Sequence, residues 1–246
     1  MPLPEIVSPA EWRTARIALL DEEKALTRAR DRLSAKRREL PMVKVEADYR
    51  FTALDGSECT LLDLFDGQDQ LIVSHFMFEP EWTDGCPSCT AGAEEMSDGL
   101  REHLARRDTR LAYVSRAPIE KIAAYRAKKG WTFPWYSSLG SMFNYDFHVT
   151  LDESVVPAEY NYRPQSEWAE QDPAWAGWSG EQPGWSCFLR VDDDVFHTYS
   201  CFGRGAEWMG GAYAFLDLTA LGRQEDWEEP AGRSDSLRTN DPDFAS

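Results

Sequence analysis

Residues 70–104 read QLIVSHFMFEPEWTDGCPSCTAGAEEMSDGLREHL. The run from Leu71 to Phe78 is continuously apolar apart from Ser74 and His75, as expected of a strand covered on both faces. A short polar loop then delivers Cys86 and Cys89 in a Cys-Pro-Ser-Cys tetrad. An amphipathic helix is expected to follow, with Cys89, Ala93, Met96, Leu100 and Leu104 on one stripe at spacings of three and four. Two intervening residues at a helix start bring both sulfurs within disulfide reach. Unpaired backbone N–H groups and the helix dipole favour a thiolate there, lowering a thiol pKa from about 8.5 to roughly 3.5–7.5. Pro87 suits the first helical position. The spacing therefore predicts Cys86 as an exposed attacking thiolate and Cys89 as a buried resolving thiol.

Outward from this stretch, the rhythm is strand and helix in alternation. Leu111-Ala112-Tyr113-Val114-Ser115 is a second buried strand. Pro118 opens a helix that Gly130 stops, and Thr132 to Tyr136 is a third extended piece. Such alternation implies right-handed crossovers and a parallel core, hence a three-layer α/β domain. Upstream, Val43 to Phe51 reads as one short strand, with an Asp55-Gly56 turn after it. Ser8-Pro9 opens a long helix that ends by Pro41, with Trp12, Leu19, Leu26, Leu33 and Leu40 recurring every seven residues. One apolar line is narrower than a coiled-coil seam, so an arm laid along its own domain or a homodimer contact through residues 9–40 are both readings of it.

Residues 152–184 break the pattern. Trp168, Trp175 and Trp178 stand among Pro, Gly and Glu without helical or strand period, which predicts a long, partly packed loop. Trp185 to Val191 and Val195 to Ser200 then form a hairpin around a turn of Asp192, Asp193 and Asp194. That turn lacks the alternating ligand spacing of a calcium loop. A last helix holds Ala212, Tyr213, Leu216 and Leu218, and the composition from Arg223 onward is that of a disordered tail. The expected organisation is an arm over 1–41, a main domain over 42–222 and an acidic tail over 223–246.

With 43 acidic against 26 basic residues, the net charge is −17 over 246 residues, and 42% of residues are hydrophobic. Such a surface repels phosphate backbones and anionic lipid, which argues against nucleic-acid and membrane partners. No apolar run approaches the roughly 20 residues of a membrane span. The first residues lack a signal-peptide pattern, so a cytoplasmic location is expected. The five cysteines form no disulfide framework. Zinc would need four ligands, and Cys187, Cys201, His75, His103, His148 and His197 lie in separate segments, so neither metal nor cofactor is expected.

From about Asp48 to Thr219 the chain resembles the thioredoxin-like superfamily, nearest its alkyl-hydroperoxide-reductase/peroxiredoxin branch. Nearly all of it resembles a bacterial family of uncharacterised, predicted dithiol-disulfide oxidoreductases. The stretches that carry this are LPMVKVEADYRF, LLDLFDGQDQLIVSHFMFEPEW, GCPSC, AYVSRAPIEKIAAY, GWTFPWYSSLGSMFNYDFHV, VFHTYS and GAYAFLDLTALGR. The resemblance implies a thioredoxin-like three-layer fold with a central mixed sheet. It also implies dithiol chemistry but supplies no substrate; for such a dithiol the expected partner is a protein or small-molecule disulfide or thiol.

Peroxiredoxins carry Pro-x-x-x-Thr-x-x-Cys and an Arg near the start of the late strand. Here Pro80, Thr83 and Cys86 keep the Thr offset, Pro80 is one residue too close, and the late strand that begins around Trp185-Ser186-Cys187 has no Arg before Arg190. That favours disulfide exchange over a thiol peroxidase at Cys86; a redox-sensing or binding module is the third reading. Trp82 resembles the aromatic that shields thioredoxin dithiols, and His75 is a candidate for proton transfer or for the core. Glu79, Glu81 and Asp84 would oppose a thiolate if they point at it. Pro134 and Pro183 are both candidates for the superfamily's cis-proline, and neither is assigned.

Overall fold

The structure, a computed structural model, describes residues 4–207, 211, 218 and 219. The expected last helix (all but Leu218) and the acidic tail lie outside the described residues. The chain divides into two compact units, one including residues 4–41 and the other including 42–207.

The first unit contains one long helix, α1 (Pro9–Arg38). Ser8 caps it: its Oγ accepts from the Glu11 N–H at 3.3 Å, while Glu11 Oε2 accepts from the Ser8 N–H at 2.9 Å. This reciprocal pair satisfies two otherwise open donors. Lys36, Arg37 and Arg38 oppose the negative end of the dipole before Pro41 stops the chain.

The second unit is built on β1 (Val43–Lys44), β2 (Arg50–Thr52), β3 (Glu58–Thr60), β4 (Gln70–His75), α2 (Pro87–Glu94), α3 (Asp98–Ala105), β5 (Thr109–Ser115), α4 (Ile119–Lys129), β6 (Trp135–Ser137) and α5 (Phe143–Asp146). Then follow β7 (Thr150–Leu151), β8 (Glu159–Tyr160), β9 (Arg163–Pro164), α6 (Gln165–Gln171), β10 (Gly180–Glu181), β11 (Gly184–Val191) and β12 (Asp194–Phe202). Eight strands make one mixed sheet in the order β1-β12-β11-β4-β5-β6-β2-β3. Central β4 pairs parallel with β5 and antiparallel with β11, and β5 pairs parallel with β6. This is the thioredoxin-like α/β architecture expected from the sequence, with the helix-bearing crossovers around the strand that leads to the dithiol.

Alternation along the central strands divides the core into two layers. Leu71, Val73, Ala112 and Val114 face a cluster with Phe51, Leu64, Phe143 and Phe147. Ile72, Leu111 and Tyr113 face the other side, with Phe76, Ala93, Ile122 and Trp135. Helices α2 and α4 therefore cover one face, and α5 with the Asp63–Phe65 turn covers the other.

Three local expectations are corrected. The strand expected over Val43 to Phe51 is two strands at opposite ends of the sheet: β1 pairs with β12, and β2 with β3 and β6. Between them the chain crosses the face that buries Tyr49. The helix after the dithiol is broken between α2 and α3, because the Ser97 side chain caps a new helix by accepting from the Leu100 N–H at 3.2 Å. Leu100 consequently leaves the stripe and is exposed, while Cys89, Met96 and Leu104 keep to the core side. Residues 152–184 are folded rather than looped. Tyr160 packs with Val149, Leu151, Ala158, Phe202, Trp175 and Trp178. Buried Gln165 donates through Nε2 to the Trp175 and Trp178 carbonyls at 2.8 and 2.5 Å.

Candidate functional site

Strand β4 ends at His75, and residues 76–86 return across its end. The Cys86 N–H donates to the Met77 carbonyl at 3.0 Å, which pins the loop where α2 begins. Gly85 makes the close approach possible: a Cβ there would stand 2.5 Å from a Phe76 ring carbon and 3.1 Å from Tyr125. Lys121 Nζ fastens the loop from below, donating to the Pro80 and Trp82 carbonyls at 2.6 and 3.1 Å.

Cys86 is the N-cap residue of α2, and Pro87 occupies the first helical position as expected. The Cys86 carbonyl accepts from both the Thr90 N–H and the Thr90 hydroxyl at 2.9 Å, and Thr90 Oγ1 lies 2.8 Å from Tyr125 Oη. As whole residues Cys86 and Cys89 are both half-buried, while the Cys89 thiol itself is enclosed by protein. Electrostatics separates them further. The Cys89 thiol is held well above its ordinary pKa, first by its hydrogen bond to Cys86, then by burial and by negative charge at Cys86 and Glu181. Cys89 therefore keeps its proton and shares it with the Cys86 sulfur. Burial pushes Cys59 and Cys187 up to about 11, so both are neutral thiols at physiological pH.

The other expected residues divide. Trp82 is half-buried and packs against the cluster beneath the dithiol, whereas Thr83 is exposed on the loop. Of its two readings His75 takes the core: its ring lies against Phe143 and Phe147, which belong to the cluster on the sheet face opposite α2. Alternation along β4 puts it there, on the side of Leu71 and Val73. Two of the three loop carboxylates are engaged elsewhere. Glu79 Oε1 accepts from the Glu181 N–H at 3.2 Å, and Asp84 pairs with Lys128 at 3.3 Å.

Sequence reasoning missed Arg116 and Glu181. Arg116 follows directly on β5, and Glu181 lies in β10, three residues before β11 begins. Their side chains pair at 2.9 Å, with Glu181 only 2% exposed. Thr150 Oγ1 donates to Glu181 Oε1 at 2.9 Å and Asn144 Nδ2 to Oε2 at 3.3 Å. Burial still dominates these favourable contacts and raises the Glu181 carboxyl to about 6. Its charge reaches Cys89, so a titrating acid accompanies the dithiol. Neither residue belongs to a spacing motif; the pairing exists only once three strand ends converge. Tyr113 is a further neighbour of Cys89, buried with its hydroxyl lacking a hydrogen-bond partner.

Among the described residues no cluster of three or more His, Cys, Asp or Glu is arranged to hold a metal ion, and no helix is long and apolar enough to cross a membrane.

A family model described as "Bacterial protein of unknown function (DUF899)" matches residues 1–242. The chain belongs to that family. A comparison of this DUF899 member with curated proteins found no match. Among solved structures it is similar to Peroxidoxin BcpB from Mycobacterium tuberculosis, at 15% identity and a TM-score of 0.44, over 66% of this chain and 85% of that one. A PrxQ variant from Xylella fastidiosa gives 14% and 0.44, over 68% and 89%. The Bacterioferritin Comigratory Protein of Xanthomonas campestris gives 13% and 0.43, over 66% and 87%. The fold of this DUF899 member is defined by its own strand order and not by these likenesses.

Proposed function

We propose that the protein is a thiol-disulfide oxidoreductase whose nucleophile is Cys86 and whose resolving thiol is Cys89. The observation that carries this is the pair itself: a sulfur at the N-cap of α2, hydrogen-bonded by a second thiol one turn in that is held protonated. In the first step the Cys86 thiolate attacks one sulfur of a substrate disulfide. A Cys86–substrate bond forms, the substrate S–S bond breaks, and the departing thiolate takes up a proton. Cys89 then loses its proton and attacks the Cys86 sulfur. The Cys86–Cys89 disulfide forms and the second substrate thiolate leaves, so two electrons have passed from dithiol to substrate. An external dithiol, of a class the cell supplies to such enzymes, must return them.

A negative charge at Glu181 opposes ionisation of Cys89, and that opposition falls as Glu181 takes up a proton near pH 6. Glu181 thus couples the resolving step to pH in the neutral range. The second reading is a peroxidase, in which Cys86 attacks a hydroperoxide and its sulfenic acid is resolved by Cys89. Arg116 is the observation in its favour, as a guanidinium paired with Glu181, whose charge acts on Cys89. Its pairing with Glu181 at 2.9 Å weakens that reading.

Replacing Cys89 by Ser should trap a mixed disulfide on Cys86 with a disulfide-bearing peptide, and Cys86→Ser should trap none. Turnover of hydroperoxide with a sulfenic adduct at Cys86, and no trapped disulfide, would support the peroxidase instead. The reducing cytoplasm suits this chemistry. A homodimer contact through residues 9–40 belongs to the same proposal, and sedimentation of the full chain against a Leu19→Glu/Leu33→Glu variant tests it.

A further inference from the structure

A cavity of about 290 Å³ opens on the sheet face that carries α5, away from α2. Its walls come from the segment that includes β1, from the end of α5, from the β8–β9 turn and from β12. Several local irregularities meet there. His148 follows α5 with φ 55, a left-handed position that glycine commonly fills after a helix. Tyr162 has φ 61 after Asn161 at φ 50, where Asn-Gly is the usual tight turn. Each bulky side chain sits where glycine is favoured, and each lines the cavity. A register shift in the β11–β12 ladder pairs Phe188 with His197 but Cys187 with Tyr199. The extra residue, Thr198, turns both His197 and Ser200 toward the cavity.

The walls are aromatic and their unbalanced charge is negative. Tyr49, Phe147, Tyr162 and Phe202 are the aromatic residues of the lining, and Asp146 and Glu46 are its acids. Lys44, the lysine of the lining, is tied to Asp194 at 2.8 Å and also feels Glu46, so with Asp146 the acids still outnumber it. Asp146 keeps one carboxylate oxygen beyond the one that accepts from Tyr49 Oη at 2.7 Å. His197 is neutral, since burial lowers its pKa, and its Nε2 is engaged with Ser200 Oγ at 2.8 Å. His148 stands 3.9 Å from the Glu159 carboxylate.

Aromatic faces beside a carboxylate attract a cation that carries its own apolar body. We propose that this cavity binds a small organic cation, an ammonium on an aromatic or aliphatic body, with the charge toward Asp146 and Glu46 and the body against Phe147 and Tyr162. The site is separate from the dithiol and does not depend on the redox reading.

Benzylammonium and benzyl alcohol differ in charge and little in shape, so titrating each into the full-length protein by calorimetry and NMR tests the assignment. Benzylammonium should saturate, perturb the resonances of Phe147, Tyr162 and His197, and bind at least about tenfold more tightly than the alcohol. Asp146→Asn and the exposed Glu46→Gln should each reduce that preference while thermal unfolding stays near wild type. Equal affinity for both probes would overturn the cation assignment. Absence of saturable binding, or a preference unchanged in both variants, would overturn the site.

Discussion

The two faces of the central sheet carry two different kinds of polar construction. On the α2 face, Cys86 and Cys89 come from one tetrad, and the enclosed Cys89 thiol keeps its proton under the influence of a titrating carboxyl, Glu181. On the α5 face, His75 Nε2, Ser186 Oγ, Ser200 Oγ and His197 Nε2 form a chain with 2.8 Å between each neighbouring pair. Three bonds need three protons. The two hydroxyls supply two and one imidazole Nε2–H supplies the third, so the other histidine must accept at Nε2, and the chain cannot stay complete once both are protonated. The first construction is poised to change protonation state; the second is built to resist it.

Breaking the reactive side should give the largest effect. Cys86→Ser is expected to abolish disulfide exchange, with at least about a thousandfold loss in a turnover assay, because no other cysteine shares its position. Next comes Arg116→Ala, which leaves the Glu181 charge buried without its ion partner. A loss of about 3–5 kcal/mol in denaturant unfolding is expected, and Arg116→Lys should recover part of it. Gly85→Ala places a methyl against Phe76 and Tyr125. Overpacking of this kind costs about 1–3 kcal/mol, and exchange activity should fall with it because the loop carries Cys86.

The sharpest comparison of the two faces is by pH. His75 falls to about 3 in the fold from 6.5, by burial first and then the neighbouring His197. A base with a lowered folded pKa stabilises above its unfolded value, and this is lost as pH falls from about 6.5 toward 3. Glu181 rises from 4.5 to about 6 in the fold. Its contribution is present below about 4.5 and is lost as pH rises through about 6. Between these values the unfolded chain binds the His75 proton and the folded chain the Glu181 proton, so the two slopes oppose at about 1.4 kcal/mol per pH unit each. Relative to wild type, Glu181→Gln should therefore gain a positive slope of stability against pH in this window. His75→Asn should gain a negative one. Parallel profiles for all three proteins would contradict the placement of both groups. The smallest effect is expected in the other unit, where Ser8→Ala should lower the thermal stability of α1 by about 1 kcal/mol through loss of its cap.

What the sequence made legible follows the same division. The tetrad, the caps at Ser8, Pro118 and Gly130, and the apolar run of β5 are local signals that stand where expected, and β4 does too except that it ends at His75 rather than Phe78. Residues whose role depends on partners far along the chain were invisible. Arg116 meets Glu181 across 65 residues, and His75 meets Ser186 across 111. The Trp-rich stretch looked structureless because its order comes from Gln165 and Tyr160 joining distant rings and carbonyls, which leaves no period. His75 was ambiguous for a simpler reason. Its position just before the loop drew it toward the dithiol, and strand alternation turned it to the opposite face.

The central claim is that Cys86 and Cys89 act as one redox unit. Equilibration of the full-length protein in glutathione buffers of stepped ratio, followed by acid quench, alkylation and peptide mapping, measures this directly. A single reversible two-electron transition confined to a Cys86–Cys89 disulfide, with Cys59 and Cys187 remaining thiols throughout, is the predicted result. Failure of Cys86 and Cys89 to join at any ratio, or reversible oxidation centred on another pair, would contradict it.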